Sequence, residues 1–200
     1  MIGNGMQQPG STPRPPSVFN IGAVSFLNAR PPIHGLGDEP RVRLTLDVPA
    51  ELGRRLLAGE LHAALVPTID IARAGWQVIE PGGCIASDDE TLTVRVFSRR
   101  PIEQLQSLAV DADSHSSVAL ARIVLGRRLG RKLRLAPMDM RAALAGAPDA
   151  LPEAALLIGD KVVAAGPNDP ASPWPVQLDL GRAWRELTGL PFVFAAWAAP

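Results

Sequence analysis

Apolar and polar positions switch along the chain between a period of two and a period near 3.6. "VFNIGAVSF" (Val18–Phe26) is a nearly continuous apolar run and predicts a buried strand, whereas "RVRLTLDV" (Arg41–Val48) alternates and predicts a half-exposed one. In "PAELGRRLLAG", Pro49 suits a helix start, Leu52, Leu56 and Leu57 form a stripe, and Gly59 suits the stop. "AALVP" (Ala63–Pro67) then predicts a short buried strand and "TIDIARAG" (Thr68–Gly75) a short helix.

The alternation continues. Strands are expected over Thr91–Ser98, Ser107–Asp113, "RKLRLAP", Glu153–Asp160 and the final "LPFVFAAWA". Helices are expected over "SSVALARIVLGRRLG", where Val118, Ala121, Leu125 and Leu129 share a face, over "MDMRAALAG", and over "DLGRAWRELTG". Strands alternating with helices argue for an α/β fold with mixed, mainly parallel sheets. Polar clusters recur just after strands: Ser25–Asn28, Thr68, Asp111–Ser117 and Gly159–Asp160. In open α/β sheets that is where ligands bind.

Composition narrows the function classes. The 200 residues are 46% hydrophobic and 20% charged, so a packed core is expected. Lys plus Arg (20) equals Asp plus Glu (20), which gives no electrostatic case for nucleic acid or an anionic membrane as partner. One cysteine (Cys84) and three histidines make a Cys/His metal cage unexpected, and Cys84 reads as a buried or loop thiol. No GxGxxG or GxxxxGK[ST] motif is present. Residues 1–17, rich in Pro, Gly, Ser and Gln, read as a disordered tail without a signal peptide's apolar segment, and a cytoplasmic protein is expected.

Six ordered pieces carry a family resemblance: "IGAVSFLNARP" (Ile21–Pro31), "DVPAELGRRLLAGELHAALVP" (Asp47–Pro67), "CIASDDETLTVRVFSR" (Cys84–Arg99), "SHSSVALARIVL" (Ser114–Leu125), "ALLIGD" (Ala155–Asp160) and "DLGRAWRELTGLPFVFAAWA" (Asp179–Ala198). Together they resemble the chorismate dehydratase family of the futalosine route to menaquinone. The resemblance implies a two-lobed fold like that of type II periplasmic binding proteins. Lobe one is expected over 18–98 plus a returning strand at 191–200, and lobe two over 99–190, with crossings near Ser98–Pro101 and Gly189–Phe192. Members of the family continue past the "AAWA" strand, so the C-terminal helices of lobe one are expected to be missing. The family more often has Ser at Thr93 and Leu at Pro32.

The implied reaction is loss of water from chorismate, giving 3-[(1-carboxyvinyl)oxy]benzoate. No cofactor is implied, and the partner is the small-molecule substrate. Asn28 and Thr93 are the candidate catalytic residues, holding the substrate's own enolpyruvyl carboxylate as base. Ser25, Ser114, Ser116, Ser117 and Asp160 are the candidate substrate-binding residues: Ser114, Ser116 and Ser117 because a strand feeding a helix start suits a carboxylate, and Asp160 as an acceptor from a substrate hydroxyl. Each also has a plain structural reading. Asn28 could close an Asx-turn, the serines could cap a helix, and Asp160 could cap the next one. His115 reads as an exposed loop side chain, Arg30 as a carboxylate partner or a solvated side chain, and the tryptophans as packing. Two rivals remain open: an enzyme like 1,4-dihydroxy-6-naphthoate synthase, whose family opens with a "SPCPNDT"-like motif instead of "SFLNARPP", and a non-catalytic carboxylate-binding protein.

Overall fold

The computed structural model describes residues 17–111, 113–167 and 169–200, so the expected tail lies, apart from Ser17, outside the described residues. The chain builds two mixed sheets. The first contains β1 (Phe19–Val24), β2 (Val42–Asp47), β3 (Ala63–Pro67), β4 (Gln77–Val78), β5 (Cys84–Ser87) and β11 (Phe192–Ala199). Its order is β2-β1-β3-β11-β4, with β5 also paired to β11. The second contains β6 (Val94–Ser98), β7 (Ser107–Asp111), β8 (Arg134–Met138), β9 (Ala154–Ile158) and β10 (Val176–Asp179), in the order β10-β6-β9-β7-β8. Among the described residues six α-helices join them: α1 (Pro49–Leu57), α2 (Thr68–Ala74), α3 (His115–Leu129), α4 (Met140–Ala145), α5 (Asp160–Ala164) and α6 (Leu180–Thr188).

Each sheet has a parallel half and an antiparallel half. In the first, β1 pairs in parallel with β2 and β3, and β11 returns antiparallel to β3, β4 and β5. In the second, β7 pairs in parallel with β8 and β9, while β6 and β10 run antiparallel. Strand pairing puts Val94–Ser98, expected with the first lobe, in the second sheet, in register with Ala154–Ile158 of β9. The first crossing between sheets therefore falls between Ser87 and Val94, ahead of the expected Ser98–Pro101. The apolar run alone cannot say which sheet a strand joins, because both offer a buried slot.

Burial follows the predicted stripes in part: of the α3 face, Ala121 and Leu125 are buried but Val118 and Leu129 only half-buried. Leu52 and Leu56 of α1 are buried while Leu57 is 72% exposed, so the stripe is narrower by one residue than expected. Leu120, Ala121, Val124 and Leu125 are the buried core of α3. One hydrophobic cluster runs from Val24, Leu52 and Leu65 beside the first sheet to Val96, Leu108 and Leu156 in the second. Each fully buried Leu contributes about 1.5–3 kcal/mol of transfer free energy. Trp174, fully buried against Phe97, donates its indole N–H to the Pro152 carbonyl at 2.9 Å, which is the packing role expected of it.

The "SFLNARPP" exit from β1 coils where its two prolines would favour extended backbone. Leu27–Ala29 and Pro31–Ile33 form two consecutive single 3-10 turns, and Arg30 between them is right-handed helical at φ −59°, ψ −43°. Proline disfavours that conformation in the residue before it. Here Arg30 ends one turn and begins the next, and Pro31 opens its turn at a position that needs no N–H donor.

Candidate active site

A cleft of about 470 Å³ opens between the two sheets. The carboxyl ends of the parallel strands feed it: Val24 and Phe26 at and after β1, Pro67 at the end of β3, Ser114 after β7, and Ile158 and Gly159 at and after β9. Residues Ser87–Val94 of the first crossing supply one wall, and Phe194 and Ala195 of β11 another. The site thus forms where the positions of polar clusters after strands indicated, with both sheets contributing.

The structure brings four of the seven predicted residues to this cleft: Asn28, Thr93, Ser114 and Ser117. Asn28 is the middle residue of the first 3-10 turn, and no side chain caps that turn. It makes no Asx-turn, and among the described residues its amide has no hydrogen-bond partner. Thr93 lies in the bend before β6, where its hydroxyl reaches the Thr91 carbonyl at only 3.4 Å. Its carbonyl accepts from Gly159 N–H at 2.8 Å, tying the crossing to the β9–α5 turn.

Ser114 caps α3, its Oγ accepting from Ser117 N–H at 3.3 Å and lying 3.0 Å from Ser117 Oγ. The preceding N–H groups of the first turn have no intrahelical partner, and the helix end carries partial positive charge. Capping and a ligand site therefore coexist at this turn.

Three expectations are corrected. Ser116 is buried but faces α2, where its Oγ lies 3.2 Å from Thr68 Oγ1 and 3.4 Å from Ile69 N. A helix advances 100° per residue, so Ser114 and Ser117 share a face that Ser116 leaves. Ser25 is exposed outside the cleft lining, with its N–H bonded to Asp47 O at 2.9 Å. Asp160 is also exposed and is the first residue of α5, so it does not cap that helix. Gly159, at φ +58° and ψ −140°, makes the turn ahead of it and brings its own backbone to the cleft. A Cβ at Gly159 would stand 3.0 Å from the Phe26 ring, so both the backbone angle and the close approach require glycine.

Cys84 is exposed in β5 and borders the cleft, where a buried or loop thiol was expected. No group of His, Cys, Asp and Glu suited to a metal occurs among the described residues. His115 begins α3, and its Nδ1 meets Asp70 Oδ2 of α2 at 2.7 Å. The bond to Asp70 holds the imidazole above its usual value of 6.5. A raised folded-state pKa stabilises fully below the unfolded value and loses that contribution as pH rises through the folded one. His115→Gln should therefore lower Tm more at about pH 5.5 than at about pH 8.5. Equal losses at both pH values would contradict this link.

The sequence reading missed the residues that hold the crossing. Leu92 is a non-glycine residue at φ +63°, a costly conformation persisting where its surroundings fix it. The fixing group is the Asp179 carboxylate, which accepts from Thr91 N–H and Leu92 N–H at 3.0 Å and from Thr91 Oγ1 at 3.0 Å. The same carboxylate caps α6 through Gly181 N–H at 2.9 Å and Arg182 N–H at 3.2 Å. A Cβ on Gly181 would collide with Asp89 O and Thr91 Cγ2. Asp followed by a helical pattern signals a cap; nothing local announces a partner 88 residues away.

Glu90 also borders the cleft. Its Oε1 meets Arg95 Nη2 at 2.9 Å and its Oε2 meets Arg182 Nη2 at 3.3 Å. Among the described residues, no lysine, arginine or histidine lines the cleft. The lining is otherwise apolar or carries neutral amide and hydroxyl groups, suited to a ring flanked by hydrogen-bonding substituents.

A family model described as menaquinone biosynthesis matches residues 19–200. A chorismate dehydratase of Thermus thermophilus is 30% identical over 90% of this chain and 69% of its own length. A chorismate dehydratase of Campylobacter jejuni is 28% identical over 76% of this chain and 51% of its own length. The chain thus spans about two thirds of one relative and about half of the other. In fold, it is similar to a structural-genomics protein of Archaeoglobus fulgidus, with a TM-score of 0.67 at 13% identity, covering 92% of this chain and 68% of that one. It is also similar to the periplasmic aliphatic sulphonate binding protein of Escherichia coli, with a TM-score of 0.51 at 14% identity, covering 92% and 62%.

Proposed function

The chain belongs to the menaquinone biosynthesis family, and from that premise, with the amide and hydroxyl groups gathered in the cleft, we propose that it is a chorismate dehydratase, a hydro-lyase. The substrate carries two carboxylates and a ring hydroxyl. The C–H bond at the ring carbon bearing the enolpyruvyl ether breaks, and its proton passes to the enolpyruvyl carboxylate. The C–O bond of the adjacent hydroxyl then breaks, and that hydroxyl leaves with the proton as water. The ring electrons close the aromatic system of 3-[(1-carboxyvinyl)oxy]benzoate. Aromatisation supplies the driving force, so the protein's task is orientation and stabilisation of developing charge.

One observation carries this reading. The cleft joins the Asn28 amide, which has no partner among the described residues, to Thr93, Ser114 and Ser117, and its carboxylate Glu90 is engaged by two guanidinium groups. A base supplied by the substrate fits such a site. Asn28 and Thr93 hold the enolpyruvyl carboxylate over the ring proton, while the Ser114–Ser117 turn takes the other carboxylate. With the lobes divided at the segment between Ser87 and Val94, Asn28 belongs to lobe one, Ser114 and Ser117 to lobe two, and Thr93 to the joint between them. Among the described residues no helix is long and apolar enough to cross a membrane, and a cytoplasmic location goes with this reading.

The test is incubation of the purified chain with chorismate, followed by chromatography for the aromatic product. Product formation is expected. Unchanged chorismate that nevertheless binds by calorimetry would favour a carboxylate-binding protein, and no binding would return the naphthoate-forming enzyme to consideration.

A further inference from the structure

Beneath the Ser114 turn lies a buried charge cluster that the proposed chemistry does not use. Lys161 of α5 has a side chain only 8% exposed. Its Nζ lies 2.6 Å from Asp111 Oδ2, whose side chain is 2% exposed, and 2.6 Å from Asp113 Oδ2, 30% exposed. Asp113 N–H donates to Asp111 Oδ1 at 3.2 Å, and Asp113 O accepts from Ala50 N–H of α1 at 3.2 Å. The cluster therefore sits where β7 ends and α3 begins, one residue before the serine that lines the cleft.

An isolated buried ammonium is costly, so its retention at this point calls for a compensating role. Without it, two carboxylates would stand at the end of α3 that faces the substrate. Their field would oppose the helix end and repel an anion there. Burial pushes the Asp111 carboxyl up, and the Lys161 ammonium beside it opposes that rise.

We propose that Lys161 is a positioning residue for substrate binding, which neutralises Asp111 and Asp113 and so lets the Ser114–Ser117 turn accept a substrate carboxylate. The inference rests on the dehydratase reading. It assigns Lys161 an effect on affinity for the dianion that exceeds its effect on the chemical step, exerted from behind the cleft lining.

The experiment compares chorismate kinetics of the purified chain with those of Lys161→Met, Lys161→Arg, Asp113→Asn and the double variant Lys161→Met/Asp113→Asn. Lys161→Met should raise KM by roughly tenfold or more with a smaller change in kcat. Lys161→Arg should stay near the wild-type KM, and Asp113→Asn added to Lys161→Met should bring KM back toward it. Asp113→Asn alone, at a partly exposed site, keeps the test decisive if Lys161→Met fails to fold. Removing a negative charge should leave KM equal or lower, whereas loss of a purely structural contact would raise it. A raised KM in Asp113→Asn, or an unchanged KM in Lys161→Met beside an active wild type, overturns the inference alone. A wild type that leaves chorismate untouched overturns the dehydratase reading and this inference with it.

Discussion

Asn28→Ala is expected to reduce kcat for chorismate by about 10²–10³-fold, the effect of removing a preorganised donor from a developing charge. The amide has no protein partner among the described residues, so its removal leaves no buried group unsatisfied and the fold should survive. Circular dichroism and Tm close to wild type would separate loss of chemistry from loss of structure. Glu90→Gln is the matched control. If the substrate supplies the base, Glu90→Gln should keep kcat within about tenfold of wild type, because the site needs no carboxylate proton acceptor. A near-normal rate in Asn28→Ala with a collapsed rate in Glu90→Gln would reverse the assignment and make Glu90 the base.

Asp179→Ala should be the most damaging single change to the fold. The carboxylate accepts from Thr91 N–H, Leu92 N–H, Thr91 Oγ1, Gly181 N–H and Arg182 N–H, and its side chain is 4% exposed. Alanine would strand one buried and several part-buried donors and leave Arg95, 3.5 Å away through Nε, without that partner. The expected loss is about 3–5 kcal/mol, read by urea denaturation. For a chain of this size that corresponds to a fall in Tm of roughly 6–20 °C. Activity should fall as well, since the same bonds fix the segment leading to Thr93. A stability change under about 1 kcal/mol would mean that water replaces the carboxylate at these donors.

The regular elements were legible because each carries its own period. Helices α1, α3 and α6 and strands β2, β3, β7 and β9 lie within a few residues of where spacing and end signals put them. Short elements were not. Strand β5 is four residues of mixed exposure and β10 another four, too short for alternation to register, and the five-residue α5 begins at the last residue of the Glu153–Asp160 strand reading, too short for a stripe of its own. The candidate site was legible in four of its seven expected residues, in part for the same reason. Asn28, Ser114 and Ser117 sit beside strand ends, where local pattern and site coincide. Ser116 and Asp160 failed because the direction of a side chain at a helix start depends on a rotation that strand-end position does not give. Asp179, Glu90 and Lys161 went unmarked because each also depends on a partner 48 to 92 residues distant, which local pattern does not announce.

The two crossings between the sheets have a mechanical consequence. Asp179 pins the first at the N-terminal end of α6, and the second leaves the C-terminal end of the same helix through Gly189, Leu190 and Pro191. The nine residues of α6 hold these two joints about 13 Å apart. Both joints between the sheets therefore hang on one nine-residue helix, so a substitution that breaks α6 displaces the Thr91–Leu92 segment and the Gly189–Pro191 exit together.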